Sequence, residues 1–171
     1  MHFRRGRRVK CLILCVPLIV AAAGSCAQAQ DRGHADAAYV PVTKFDPARD
    51  AAQDIRTAVA EARRSRRRVL IDVGGDWCIW CRRLDTLFTT RRELGEYRDA
   101  HYVVVKVNWS KENKNEGVLS RYPPVKGYPH LFVLDSDGSL VHSQDTGELE
   151  KGKGHDPEKV MAFLKTWAPK N

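Results

Sequence analysis

From Val69 to Val73 the chain is apolar except for Asp72, and Gly74-Gly75 closes the run. That pattern predicts a central strand with both faces buried. Beyond it, Cys81, Leu84, Leu87 and Phe88 keep helical spacing and predict an amphipathic helix opening at Cys78. A short helix is expected around Arg92 to Tyr97, and β-branched Tyr102 to Val107 reads as a second strand. Asn108 to Arg121 is polar and partly helical in pattern, and Pro123-Pro124 breaks it. Leu131 to Leu134 and Leu140 to His142 flank Asp135-Ser136-Asp137-Gly138, whose Asp-Gly pair predicts an antiparallel hairpin. After a polar loop from Gly147 to His155, Asp156-Pro157 opens a last helix with Val160, Met161, Leu164 and Trp167 on one side.

Upstream, Asp46-Pro47 offers an N-cap and a first-turn proline for a helix whose apolar face is Ala48, Ala51, Ala52, Ile55, Val59 and Ala62. The helix runs into Arg63, Arg64, Arg66, Arg67 and Arg68, charges that suit a helix C-terminus and read as a solvated face. Helices alternating with strands, and ending in a hairpin, predict an α/β domain with a central mixed sheet covered by helices on both faces.

The N-terminus does not fit that fold. Arg4, Arg5, Arg7, Arg8 and Lys10 precede an apolar run from Cys11 to Ala23, then small residues. This predicts a signal peptide over 1–29, cleaved after Ala27-Gln28-Ala29; the run is too short for a membrane span, so no transmembrane segment is expected in the mature chain. Ala23-Gly24-Ser25-Cys26 offers a second reading as a lipoprotein box, with lipid anchoring through Cys26. Residues 30–45 read as a flexible leader with an extended patch at Tyr39-Val40-Pro41-Val42, leaving 46–171 as one domain.

Cleavage changes the charge and the cysteine count. The precursor carries +8, but removing five basic residues leaves 24 basic against 21 acidic, a net +3, so the case for nucleic-acid binding lapses. Of five cysteines only Cys78 and Cys81 remain. In an oxidising compartment a lone vicinal pair cannot staple distant segments, which points to exchange chemistry.

The pair lies in Trp77-Cys78-Ile79-Trp80-Cys81, between the buried strand and the helix. Unpaired N–H groups and the dipole at a helix N-terminus stabilise a thiolate, the attacking species in disulfide exchange. A haem-attachment site would need histidine at 82, where Arg82 stands. A metal-binding or metal-delivery module could join Cys78 and Cys81 to His130, but there is no second Cys-x-x-Cys. A non-catalytic, chaperone-like binding domain that does not depend on Cys78 is a third reading.

These residues resemble the thioredoxin superfamily, and within it the secreted thioredoxin-like reductases. Asp72 precedes Cys78 by six residues, Gly127-Tyr128-Pro129 leads into the hairpin, and the likeness extends from Val69 to Trp167; the usual Gly-Pro between the cysteines is absent. The resemblance implies a thioredoxin fold and a thiol:disulfide oxidoreductase with no organic cofactor. Cys78 is then the nucleophile that forms a mixed disulfide, Cys81 the resolving thiol, and Asp72 the proton acceptor for Cys81, through water if need be. Pro129 is expected to be cis beside the dithiol and to present residue 128 to an extended substrate segment. Trp77, Trp80 and Tyr128 are candidates for an aromatic rim that docks partner proteins. Because neither residue between the cysteines is a cation and Asp76 opposes thiolate formation, a reductase is expected rather than an oxidase of the same fold. Its partners would be disulfide-containing proteins and, as electron donor outside the cytoplasm, a membrane thiol-relay protein.

Overall fold

The computed structural model describes His2 and residues 39–170. The expected signal peptide, its cysteines and leader residues 30–38 therefore lie outside the described residues, His2 apart. In chain order the elements are α1 (Ala51–Ser65), β1 (Arg68–Gly74), α2 (Ile79–Thr90), α3 (Arg92–His101), β2 (Tyr102–Asn108), α4 (Glu116–Leu119), β3 (His130–Leu134), β4 (Leu140–Asp145), β5 (Glu150–Lys151), β6 (Gly154–His155) and α5 (Pro157–Thr166). The main sheet has the order β2-β1-β3-β4, with β1 and β2 parallel and the other pairs antiparallel. This is the expected mixed α/β sheet.

Period-two alternation decides what each sheet face meets. Val69, Ile71 and Val73 join Val103, Val105 and Val107 in a core with Ile55, Ala58 and Ala62 of α1. Leu70 on the opposite face packs with Leu84 and Phe88 of α2, Leu94 of α3, and Val160, Phe163 and Leu164 of α5. Asp72 belongs to this second face, and its register partner on β2 is Lys106. The sheet thus brings an acid and a base together on the side that carries the dithiol helix.

Four expectations are corrected. Helix α1 starts at Ala51, because Asp50 caps it by accepting from the Gln53 N–H at 3.0 Å. Asp46 forms a separate turn, accepting from the Ala48 N–H at 2.8 Å.

The leader's last residues are packed rather than loose. Val42 bridges to Val105 in parallel, extending the sheet at β2, and accepts from the Lys106 N–H at 3.1 Å. Tyr39 donates to the Val104 carbonyl at 3.1 Å, and both Val42 and Phe45 are buried.

The arginine run is only partly a solvated face. Arg67 pairs with buried Glu61 at 2.9 Å, and Arg68 donates to the Trp167 carbonyl at 2.9 Å. Finally, the expected loop after the hairpin contains a 3-10 turn at Thr146–Leu149 and the small β5–β6 pair. Its strands are two residues long, too short to leave a periodic signal.

Candidate active site

Cys78 and Cys81 form a disulfide with Cα atoms 5.2 Å apart. Cys78 is the N-cap of α2 rather than its first residue, with extended backbone and its Sγ accepting from the Cys81 N–H at 3.0 Å. Its own N–H donates to the Gly75 carbonyl at 3.0 Å, which closes the Gly75-Asp76-Trp77 turn. Once the bridge is reduced, that Cys81 N–H and the helix N-terminus favour the Cys78 thiolate. In the closed bridge both sulfurs are covered, Cys78 at 4 % exposure and Cys81 at 1 %. The expected contrast between an open attacking thiol and a sheltered resolving one is therefore small in the oxidised form.

Phe45 packs against both cysteines, with Trp80 and Tyr128 at the edge of the cluster. Arg82 donates to the Asp76 carbonyl, and Arg83 lies 4.5 Å over the Trp80 ring. Trp80 also meets the His155 ring edge-on at 5.6 Å, so it is half-buried packing rather than open rim.

Asp72 is buried, and its Oδ2 accepts from the Lys106 ammonium at 2.9 Å while Oδ1 has no partner. The same ammonium donates to Asp85 Oδ1 on α2 at 2.7 Å and stands 4.1 Å from the Phe45 ring centre. Burial pushes the Asp72 carboxyl above its ordinary value despite Lys106 beside it. Burial alone would pull Lys106 down, but Asp72 and Asp85 outweigh it and the ammonium ends above its ordinary value. The pairing of Asp72 with Lys106 is not among the expectations drawn from sequence. Lys106 was legible as a cation among Val103, Val105 and Val107, because a charge in such a strand needs a partner.

Trp77 is 54 % exposed and donates its indole N–H to the Trp109 carbonyl at 2.8 Å. A side chain on Gly75 would collide with that indole. Trp109 stacks on Tyr128 at 4.8 Å, and Trp77 meets both edge-on, at 5.9 and 5.6 Å. The aromatic rim is thus Trp77, Trp109 and Tyr128; Trp109 was missed because it follows the strand in a polar segment. Its neighbour Asn108 is buried and donates to Asn113 O at 2.9 Å.

A cleft of about 560 Å³ opens beside the rim, lined by Phe45, Pro47, Trp77, Trp109, Lys111 and Glu112 among others. The Tyr128-Pro129 bond is cis, and Thr146 donates to the Pro129 carbonyl. His130 follows on β3, buried, with Nε2 paired to Ser143 at 2.9 Å. Among the described residues no three His, Cys, Asp or Glu side chains are grouped to hold a metal ion.

The thioredoxin-like family model matches residues 50–136, from the α1 cap to the hairpin turn. The chain belongs to the thioredoxin-like family. This thioredoxin-like chain is similar to disulfide bond reductase DsbH of Chlamydia pneumoniae, 26 % identical over 80 residues, which are 42 % of this chain and 48 % of that protein. It is also similar to thiol:disulfide interchange protein DsbD of Pseudomonas fluorescens, 30 % identical over 116 residues, 67 % of this chain and 18 % of that one. The matches thus span about half and less than a fifth of these relatives' lengths.

Among solved structures, a disulphide isomerase from Xylella fastidiosa superposes with TM-score 0.61 at 22 % identity, covering 75 % of this chain and 98 % of that one. The oxidised C-terminal domain of Neisseria meningitidis DsbD gives 0.51 at 20 % identity, covering 71 % and 97 %. Both show the thioredoxin fold expected from the sequence.

Proposed function

We propose that this chain is an exported, periplasmic thiol:disulfide oxidoreductase that reduces disulfides in other proteins. The observation that carries the reading is the Cys78–Cys81 bridge at the α2 N-terminus, with Cys78 Sγ on the Cys81 N–H and the buried Asp72–Lys106 pair on the same sheet face. The relatives' names, a disulfide bond reductase and a thiol:disulfide interchange protein, support the same class.

In the reduced enzyme the Cys78 thiolate attacks one sulfur of a substrate disulfide, forming a mixed disulfide and expelling the first substrate thiolate. Cys81 then gives its proton to Asp72 and attacks Cys78 Sγ, which breaks the mixed disulfide and expels the second thiolate. The enzyme ends as the Cys78–Cys81 disulfide and the substrate gains two electrons. Gly74 abuts Cys81 Sγ, and Asp72 is the next residue inward on that strand face, about 6.6 Å along it.

The aromatic surface of Trp77, Trp109 and Tyr128 docks apolar segments of the substrate, and the backbone before Pro129 pairs with them. Asp76 precedes the pair and neither intervening residue is a cation, which supports reduction over strong oxidation. A membrane thiol-relay protein supplies the electrons. The test is the equilibrium potential of the couple against glutathione, run beside insulin reduction: about −270 mV with turnover marks a reductant. A value near −120 mV assigns the opposite direction.

A further inference from the structure

Asp85 has no part in the exchange steps above, yet it holds the ammonium that pairs with Asp72. It stands one turn beyond Cys81 on α2, its side chain 42 % exposed, and takes Lys106 Nζ at 2.7 Å while Asp72 takes the same atom at 2.9 Å. An ammonium has three donors, so both carboxylates can hold it at once. Were Lys106 engaged by Asp72 alone, the neighbouring positive charge would favour the ionised form of Asp72 and weaken it as a proton acceptor. Asp85 draws part of that charge away, and its own negative charge opposes a second carboxylate nearby.

We propose that Asp85 is a positioning residue for proton transfer from Cys81: by sharing Lys106 it keeps the buried Asp72 carboxylate able to take the proton. This rests on the reading of Asp72 as acceptor. The charged groups around Asp72 are Lys106 from β2, Asp85 from α2 and, at longer range, Arg98 from α3; its β3 register partner, Leu131, is apolar. Arg98 is turned to the Phe88 ring at 4.4 Å and to Asp99 at 2.8 Å, so Asp85 is the acidic neighbour that acts on the pair. Its exposure lets water and salt weaken its influence, which sets the expected effect at the small end of the range for neighbouring charges, about one pH unit.

The experiment uses the reduced full chain and its Asp85→Asn and Asp72→Asn variants. Lys106 keeps one carboxylate in each, so the buried ammonium is never left alone. Carbon-detected carboxyl NMR follows the Asp72 titration, and single-turnover kinetics with a disulfide-bonded peptide follow resolution of the mixed disulfide against pH. In Asp85→Asn the Asp72 midpoint and the rate profile are both expected to move down by about one pH unit, with less movement in 1 M salt. In Asp72→Asn the pH-dependent limb is expected to vanish. If Asp72→Asn flattens the profile but Asp85→Asn moves neither quantity, the role of Asp85 is overturned and Asp72 remains the acceptor. If Asp72→Asn leaves the profile intact, Asp72 is not the acceptor and both readings fail, whatever its midpoint does.

Discussion

Cys81 Sγ occupies the space that a side chain on Gly74 would need: a Cβ there would lie 2.5 Å from the sulfur and 3.1 Å from the Phe45 ring. The end of β1 must be bare for the Cys81 sulfur to lie flat against the sheet. Gly74→Ala is expected to destabilise the protein by about 1–3 kcal/mol, the range for overpacking a filled site. Urea denaturation checks it, and a change under about 0.5 kcal/mol would mean the helix can retreat from the strand.

Trp77 contributes to the rim while lying largely outside the core. Trp77→Ala removes the bond to Trp109 and two aromatic edge contacts, each pair of that kind being worth about 0.5–1.5 kcal/mol. Steady-state insulin reduction is expected to show KM rising roughly tenfold with kcat within about twofold, the signature of lost docking. A fall in kcat at constant KM would place Trp77 in the chemistry instead.

His155 gives the fold an acid sensitivity. It is buried beside Trp80, neither ring nitrogen has a partner, and burial with Arg83 nearby holds it below the ordinary histidine value of 6.5. The unfolded chain therefore takes the proton first, so stability is full above pH 6.5 and is lost as pH falls through the window below it. A single group contributes at most about 1.4 kcal/mol per pH unit. Between pH 7.5 and 5 the melting temperature is expected to fall less in His155→Phe than in the parent; equal slopes would acquit His155.

Asp72 works in the opposite sense. Its folded value is raised by burial, so the native state keeps a proton that the unfolded state releases, and stability declines as pH climbs from the ordinary carboxylate value of 3.8 toward the raised one. Asp72→Asn removes that decline and leaves Lys106 its bond to Asp85. Denaturation at pH 8 is expected to find the variant at least as stable as the parent, and a loss above about 1 kcal/mol would mean that the Lys106 bond outweighs the burial of Asp72.

Much of this was readable because it is local. The Val69–Val73 run, the Cys78–Phe88 spacing and the Asp-Gly turn each carry their element within a few residues, and the expected strands differ from the observed ones by one to three residues at their ends. Asp46 is the cap the sequence suggests, and only the bond from the Gln53 N–H to Asp50 shows that the helix opens four residues later. What was lost is what the fold assembles from afar. Val42 finds Val105, and Phe45 finds the dithiol, through pairings that no periodicity encodes. Lys106 was the exception with a signal, a cation in an apolar strand, and the fold sets it in register with buried Asp72.

The central claim is that reduction exposes a primed Cys78 thiolate and leaves Cys81 sheltered until a mixed disulfide forms. Iodoacetamide labelling of the native reduced protein across pH 5 to 10, with the modified residue located by mass spectrometry, tests it most directly. Cys78 is expected to label first, with a midpoint below the free-cysteine value of about 8.5, while Cys81 stays protected. Labelling of Cys81 first, or of neither thiol short of unfolding, would contradict it.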